Sequence, residues 1–295
     1  MGKPVYKTET GRNIVESMYR NLLATYSTHL YDQLFVPTAV ARTHVLRFGD
    51  QSKPPLVMLH GSVSNSAAWL GNISDFVDQF CIYCIDIPGE PGLSEPVRCT
   101  LASEEPYAWL SSLLGNLGID EACFVSMSLG GWYALNFAVH SPEKVRALSM
   151  ITTGGIVPAK TSFLFKAVLY MMLGKRGQNL LNQAVFHKAE VPAEVLEFQA
   201  VTTKHFNPMV EAIPVFSDAQ LKRLTMPLQF FGGDHDALID SVKTGERLKK
   251  LLPRAEIHIL QDTGHVIIDQ FPVIREFLLA NRPVSLDNRA PCPFA

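Results

Sequence analysis

Ser128 lies in Cys123-Phe124-Val125-Ser126-Met127-Ser128-Leu129-Gly130-Gly131, where an apolar run of strand character meets one of helical character. A serine hydroxyl is a weak nucleophile near neutral pH and needs a base within hydrogen-bond reach to attack a carbonyl carbon. Two downstream turns supply the residue types. Gly232-Gly233-Asp234-His235-Asp236 carries two carboxylates, and Asp262-Thr263-Gly264-His265 carries an imidazole. Imidazoles titrate near neutrality, which suits His265 to take a proton and return it to a leaving group. A carboxylate behind the ring holds the useful tautomer and steadies the imidazolium. A further turn, His60-Gly61-Ser62, follows an earlier apolar run. There a small residue lets backbone approach a reacting group, so the N–H of Ser62 and that of Leu129 form a candidate pair of oxyanion donors.

These turns need a frame that brings them to one edge. Strand-like runs occur at 55–59, 80–85, 123–127, 145–151, 228–231 and 255–260, with helix-like segments at 67–77, 106–117, 130–140, 241–252 and 266–279 between or after them. Such alternation predicts an α/β fold with a mostly parallel central sheet and helices on both faces. Right-handed crossovers then place the strand C-terminal ends, and the four turns after them, on one rim. A strand turning sharply into a helix at Ser128 lifts the hydroxyl to that rim above free helix N–H groups. Upstream, 10–30 reads as an extra helix, with short strands at 35–38 and 43–48.

The alternation lapses from 156 to 216, where the pattern is helical and punctuated by Pro158, Pro192, Pro208 and Pro214. Its aromatic and Met-rich part, with Phe163, Phe165, Tyr170, Met171 and Met172, reads as a cap whose apolar surface partly lines a substrate pocket. The expected organisation is an N-terminal helical extension at 1–34, a core of 35–155 and 217–281, a helical cap at 156–216 inserted after the sixth strand, and a tail at 282–295.

Composition narrows the partners. A net charge of −2 leaves no electrostatic footprint for nucleic acid or an anionic membrane surface. The start of the chain is polar and lacks a secretory apolar region, and the stretch 163–173 is interrupted by Lys166 and too short to span a bilayer. Five cysteines, an odd number, fit free thiols and a cytoplasmic location. Cys81 and Cys84 form a C-x-x-C, but on a strand residues three apart face opposite sides and share no ligand. His235, between two acids, reads as a turn residue rather than a metal ligand. No metal or organic cofactor is expected.

The combined set resembles an α/β-hydrolase-fold serine hydrolase of the carboxylesterase type, over roughly residues 45–280. Ser126 takes the place of the first glycine of the usual Gly-x-Ser-x-Gly turn, and Trp69 is a further shared mark. Asp86-Ile87-Pro88-Gly89-Glu90-Pro91-Gly92-Leu93-Ser94 is similar to the family loop D-x-x-G-x-G-x-S with one residue added. The resemblance implies that Asp236, not Asp234, is the acid. The alternative acid position, at Thr152-Thr153-Gly154, offers no carboxylate. It further implies a Ser128–Asp236–His265 triad acting on a small-molecule ester of small to medium acyl chain through an acyl-enzyme. A carbon–carbon bond hydrolase, a lactonase, a perhydrolase side activity and a slow-turnover small-molecule receptor remain open on the same triad.

Overall fold

The computed structural model describes residues 4–160 and 173–282. Eight strands form one sheet: β1 (Tyr31–Val36), β2 (Thr43–Phe48), β3 (Pro55–Leu59), β4 (Cys81–Ile85), β5 (Ala122–Met127), β6 (Val145–Ile151), β7 (Leu228–Gly233) and β8 (Glu256–Leu260). Their order is β1-β2-β4-β3-β5-β6-β7-β8, and only β2 runs antiparallel to its neighbours.

Burial with a period of two explains the central strands. Val57 and Leu59 of β3 join one apolar layer with Cys81, Tyr83 and Ile85 of β4. Leu56 and Met58 join the other with Ile82 and Cys84. Strands covered on both faces show continuous apolar runs rather than polar alternation, as these do. Cys81 and Cys84 accordingly face opposite layers and form no disulfide.

The described helices are α1 (Glu9–Tyr26), α2 (Ile73–Phe76), α3 (Glu105–Asn116), α4 (Leu129–His140), α5 (Gly174–Phe186), α6 (Ala193–His205), α7 (Asp218–Leu221), α8 (Ser241–Leu251) and α9 (Phe271–Ala280). Trp109, Leu113, Phe137 and Leu248 of α3, α4 and α8 cover one face of the sheet. Val15, Tyr19 and Leu23 of α1, spaced four apart along one helix side, cover the other with Phe76 of α2 and Ile274 of α9. The chain leaves β3 for β4 on one side and then crosses to β5 on the other. The strand order therefore reverses at β3 and β5, where open α/β sheets hold ligands beyond their strand ends.

Four elements depart from the sequence expectation, the first being α1, which ends at Tyr26 rather than at 30. The last helix begins at Phe271 rather than 266. Pro272 has no N–H and would clash inside a helix, so it fits only the first turn. The segment expected as a helix at 67–77 divides into a 3₁₀ helix, Ser66–Asn72, and the short α2. β1 starts at Tyr31 and stops before Pro37, which lacks a ladder donor. Its polar opening, Tyr31-Asp32-Gln33, suits an edge strand but carries no apolar strand signal.

Between β6 and β7 lie α5, α6 and the short α7; the apolar stretch 163–172 and the tail from 283 fall outside the described residues. The N-terminal segment clasps α6. Tyr6 bridges Phe206, the Lys7 N–H donates to the His205 carbonyl at 2.8 Å, and the Tyr26 hydroxyl donates to Glu194 at 2.8 Å.

Candidate active site

Ser128 connects β5 to α4 with φ 50° and ψ −114°, a backbone conformation that non-glycine residues avoid. Such a residue costs on the order of 1–3 kcal/mol and persists only where its surroundings hold it. Here the Ser128 N–H donates to the Ile151 carbonyl of the neighbouring strand at 2.9 Å. The turn also requires helix α4 to pass very close to β3. A Cβ on Gly130 would sit 2.3 Å from the Leu59 carbonyl oxygen and 2.4 Å from that of His60. Backbone cannot give way as a side-chain tip can. We therefore expect Gly130→Ala to lower stability in urea unfolding by about 1–3 kcal/mol, the usual range for an overpacked core. An unchanged midpoint would contradict this packing.

As N-cap of α4, Ser128 makes no capping hydrogen bond with its side chain. Its hydroxyl instead meets His265 Nε2 at 3.0 Å, and His265 Nδ1 meets Asp236 Oδ2 at 2.8 Å. An ionised Asp236 only accepts, so Nδ1 carries the proton and Nε2 is left to accept from Ser128. Asp236 is 1% exposed and also accepts from the N–H groups of Leu238 and Ile239, at 2.8 and 3.1 Å, and from the Ser241 hydroxyl at 3.2 Å. Burial pushes its carboxyl up, but the charge and hydrogen bond of His265 and the two N–H groups leave it below the ordinary range. Asp234 points elsewhere, accepting from His235 at 2.8 Å and from the Thr263 N–H at 3.2 Å. It joins the two loops that carry Asp236 and His265. Those loops touch so closely that a Cβ on Gly233 would lie 2.1 Å from the Thr263 carbonyl oxygen.

His60-Gly61-Ser62 flanks the nucleophile from the β3 side. A Cβ on Gly61 would stand 3.3 Å from that of Ser128. His60 is fully buried, its pKa lowered by that burial, and it links strand ends: Nε2 accepts from the Ile87 N–H at 3.0 Å while Nδ1 meets the Gly61 carbonyl at 2.8 Å. Leu129 opens α4, and the first N–H groups of a helix have no partner within it. Thr153, at the alternative acid position, is buried against Gly131 and carries no charge.

Other parts of the site had little or no sequence signal. Asp86 is a buried hub: it accepts from the Tyr19 hydroxyl (3.1 Å), His44 Nδ1 (2.8 Å) and the N–H groups of Ser66 and Leu93 (both 2.9 Å). Burial raises its pKa, but His44, His60 and the Leu93 N–H outweigh that and hold it well below the usual range. The D-x-x-G pattern singled out Asp86 but not its partners. The end of α5 also reaches the catalytic loop, where the Val185 carbonyl accepts from the His265 N–H at 3.1 Å.

Among the described residues, ligand-type atoms of His187, His235 and Asp262 lie within 4.8 Å of one another and are the group that could hold a metal ion. Asp262 is already partnered there: the Lys188 ammonium pairs with one of its oxygens, and the other meets His187 at 2.9 Å. His235 turns its Nδ1 to Asp234 at 2.8 Å and stacks on His187 with ring centroids 4.8 Å apart.

Residues 56–274 match the family model described as the alpha/beta hydrolase family. The chain is 28% identical over 254 residues to an uncharacterized carboxylesterase of Bacillus subtilis (strain 168), covering 81% of this chain and 82% of that one. It is 29% identical over 237 residues to a 2-hydroxy-6-oxononadienedioate/2-hydroxy-6-oxononatrienedioate hydrolase of Paraburkholderia phymatum, covering 72% and 81%. Among solved structures, naproxen esterase (carboxylesterase NP) from Bacillus subtilis superposes with a TM-score of 0.80 at 23% identity, over 93% of this chain and 99% of that one. At that identity the likeness is one of fold.

Proposed function

Because the chain belongs to the alpha/beta hydrolase family, we propose that it is a carboxylesterase-type serine hydrolase that cleaves small-molecule carboxylic esters through an acyl-enzyme on Ser128. The observation that carries this reading is the continuous relay from Ser128 Oγ to His265 Nε2, 3.0 Å, and from His265 Nδ1 to Asp236, 2.8 Å. The curated relative named as a carboxylesterase supports the ester as substrate.

The steps follow from the atoms in place. Ser128 Oγ attacks the ester carbonyl carbon while its proton passes to His265 Nε2. Asp236 stays ionised and stabilises the imidazolium that forms. The carbonyl oxygen becomes negative beside the N–H groups of Ser62 and Leu129, which we assign as its donors. Collapse expels the alcohol, which takes the proton from Nε2. Water then adds to the acyl-enzyme with the same proton transfers, releasing the acid and restoring the Ser128 hydroxyl. Every bond change is met by Ser128, His265 and water.

Small to medium acyl chains are the favoured class. The sequence 163–173 has one charge, Lys166, among Phe, Tyr, Leu and Met side chains, and Met adapts to irregular apolar shapes. Each buried methylene contributes about 0.8 kcal/mol, close to fourfold in kcat/KM when the transition state uses it fully. We expect kcat/KM for p-nitrophenyl esters to rise from acetyl to butyryl or hexanoyl and to fall for long-chain triglycerides. An acetyl ester preferred by more than tenfold would exclude an apolar acyl pocket. Faster turnover of the Paraburkholderia relative's carbon–carbon substrate than of any ester would reassign the reaction. We also infer a reducing, cytoplasmic setting, supported by the four cysteines among the described residues, which are buried and outside any disulfide and of which burial raises Cys99 to about 11 and Cys123 to about 12. No helix among the described residues is long and apolar enough to cross a membrane.

A further inference from the structure

Glu90 occupies the loop after β4 that is one residue longer than its family pattern. A glutamate in a loop ordinarily faces water, yet this one is 4% exposed. Its Oε2 accepts from the Val63 N–H at 2.6 Å, a short bond of the charge-assisted kind. Val63 directly follows Ser62 and has φ 56°, a left-handed conformation that a β-branched residue adopts only under constraint. Three further bonds join the same two loops: Ile87 N–H to His60, Ser66 N–H to Asp86, and Asn65 Nδ2 to the Pro91 carbonyl, the last at 2.9 Å. None of those three is made at the Ser62–Val63 peptide. That peptide is held by Glu90 on one side, while Gly61 abuts Ser128 on the other.

We propose that Glu90 is a positioning residue whose carboxylate clamps the Ser62–Val63 peptide and thereby aims the Ser62 N–H at the oxygen that becomes negative when Ser128 attacks. This rests on the serine-hydrolase reading above. The clamp has a pH dependence, because burial raises Glu90 to about 7 against the opposing pull of the Val63 N–H and Arg98. Its charged surroundings come from several elements. Arg98 leans over the Phe206 ring and binds the Asn207 carbonyl, Tyr6 approaches from the N-terminal segment and Tyr133 from α4. Asp86 lies at the start of the same loop, and Arg12 and Glu16 of α1 act on Tyr6. A charged acceptor binds an N–H more strongly than a neutral one, so the clamp tightens as pH rises through about 7. Stability moves the other way. A carboxyl raised in the fold contributes fully below its unfolded range, and that contribution is lost as pH rises through the folded value.

The test compares full-length wild type, Glu90→Leu, Glu90→Gln and Ser128→Ala. Each is assayed for p-nitrophenyl butyrate turnover and for inhibition by phenylboronic acid, which forms a tetrahedral serine adduct. Glu90→Leu removes the acceptor, and we expect kcat to fall ~10- to 100-fold, with KM within about twofold and boronate affinity falling alongside kcat. Glu90→Gln keeps an acceptor oxygen without the charge and restores most of the loss. The ratio of wild-type to Glu90→Gln kcat should rise through neutrality, while the variant's unfolding midpoint gains on wild type above that range. Unchanged kcat and boronate affinity in a folded Glu90→Leu, a loss carried by KM, or a pH-flat ratio to Glu90→Gln would each overturn the clamp. If Glu90→Leu does not fold, the Gln ratio and its boronate affinity decide. Ser128→Ala keeps the two readings apart: turnover retained there overturns the serine assignment, whereas turnover lost there beside an unaltered Glu90→Leu overturns the clamp alone.

Discussion

Replacing Ser128 by Ala lowers kcat for ester hydrolysis by about 10⁴-fold or more, with KM and fold largely preserved. The size of the effect follows from the geometry. Ser128 Oγ is the atom that meets His265 Nε2, at 3.0 Å. Alanine keeps the Cβ that Gly61 packs against and removes only the reacting oxygen and its hydrogen bond. No neighbouring hydroxyl replaces it. Ser126 is fully buried with its Oγ directed to the Ser149 carbonyl at 3.5 Å, and the Ser62 side chain is exposed on the opposite loop. Unfolding in urea should shift little, because the strained φ of 50° remains in the variant while one hydrogen bond is lost. A Ser128→Ala protein with more than about a tenth of wild-type kcat would contradict the role assigned to Ser128.

The two carboxylates of one turn are expected to separate widely. Asp236→Asn should lose about 10⁴ in kcat, the scale seen when an orienting carboxylate is made neutral. The amide cannot act as an acceptor for His265 Nδ1–H without turning an NH₂ toward the N–H groups of Leu238 and Ile239, which Asp236 now satisfies. Either arrangement leaves a donor facing a donor or the ring in its unproductive tautomer. Asp234→Asn keeps an oxygen for the Thr263 N–H and sits away from His265, so its kcat should stay within about tenfold of wild type. Steady-state kinetics on the two variants check this. A larger loss for Asp234→Asn would move the acid to the other member of the pair.

The rim residues were legible because their signals are local. Ser128 is flanked by residues small enough for a strand to turn into a helix, and the Asp and His turns each follow an apolar run that folds as a strand. The central strands were readable from length and apolar content. Partnerships across long stretches of chain were not. The Glu90 contact to Val63 spans 27 positions, and that of Tyr19 to Asp86 spans 67. Nothing near Glu90 in sequence distinguishes a buried acceptor from a solvated loop carboxylate; only the placement of two loops decides it. The hold of Val185 on His265 is made by a backbone carbonyl, which leaves no trace in residue type. The last helix starts later than its apolar residues suggest: Val266, Ile267 and Ile268 extend the apolar pattern, but Pro272 fits only a first turn, so the helix begins at Phe271.

The account stands most directly on a covalent intermediate at one atom. Rapid-quench mass spectrometry of the full-length protein mixed with p-nitrophenyl butyrate, followed by peptide mapping, locates it. A butyryl group on the peptide bearing Ser128, formed no slower than turnover and abolished by prior treatment with a fluorophosphonate, is the predicted result. Butyrylation at Ser126, Ser62 or a cysteine, or full turnover of a fluorophosphonate-labelled protein, would contradict it.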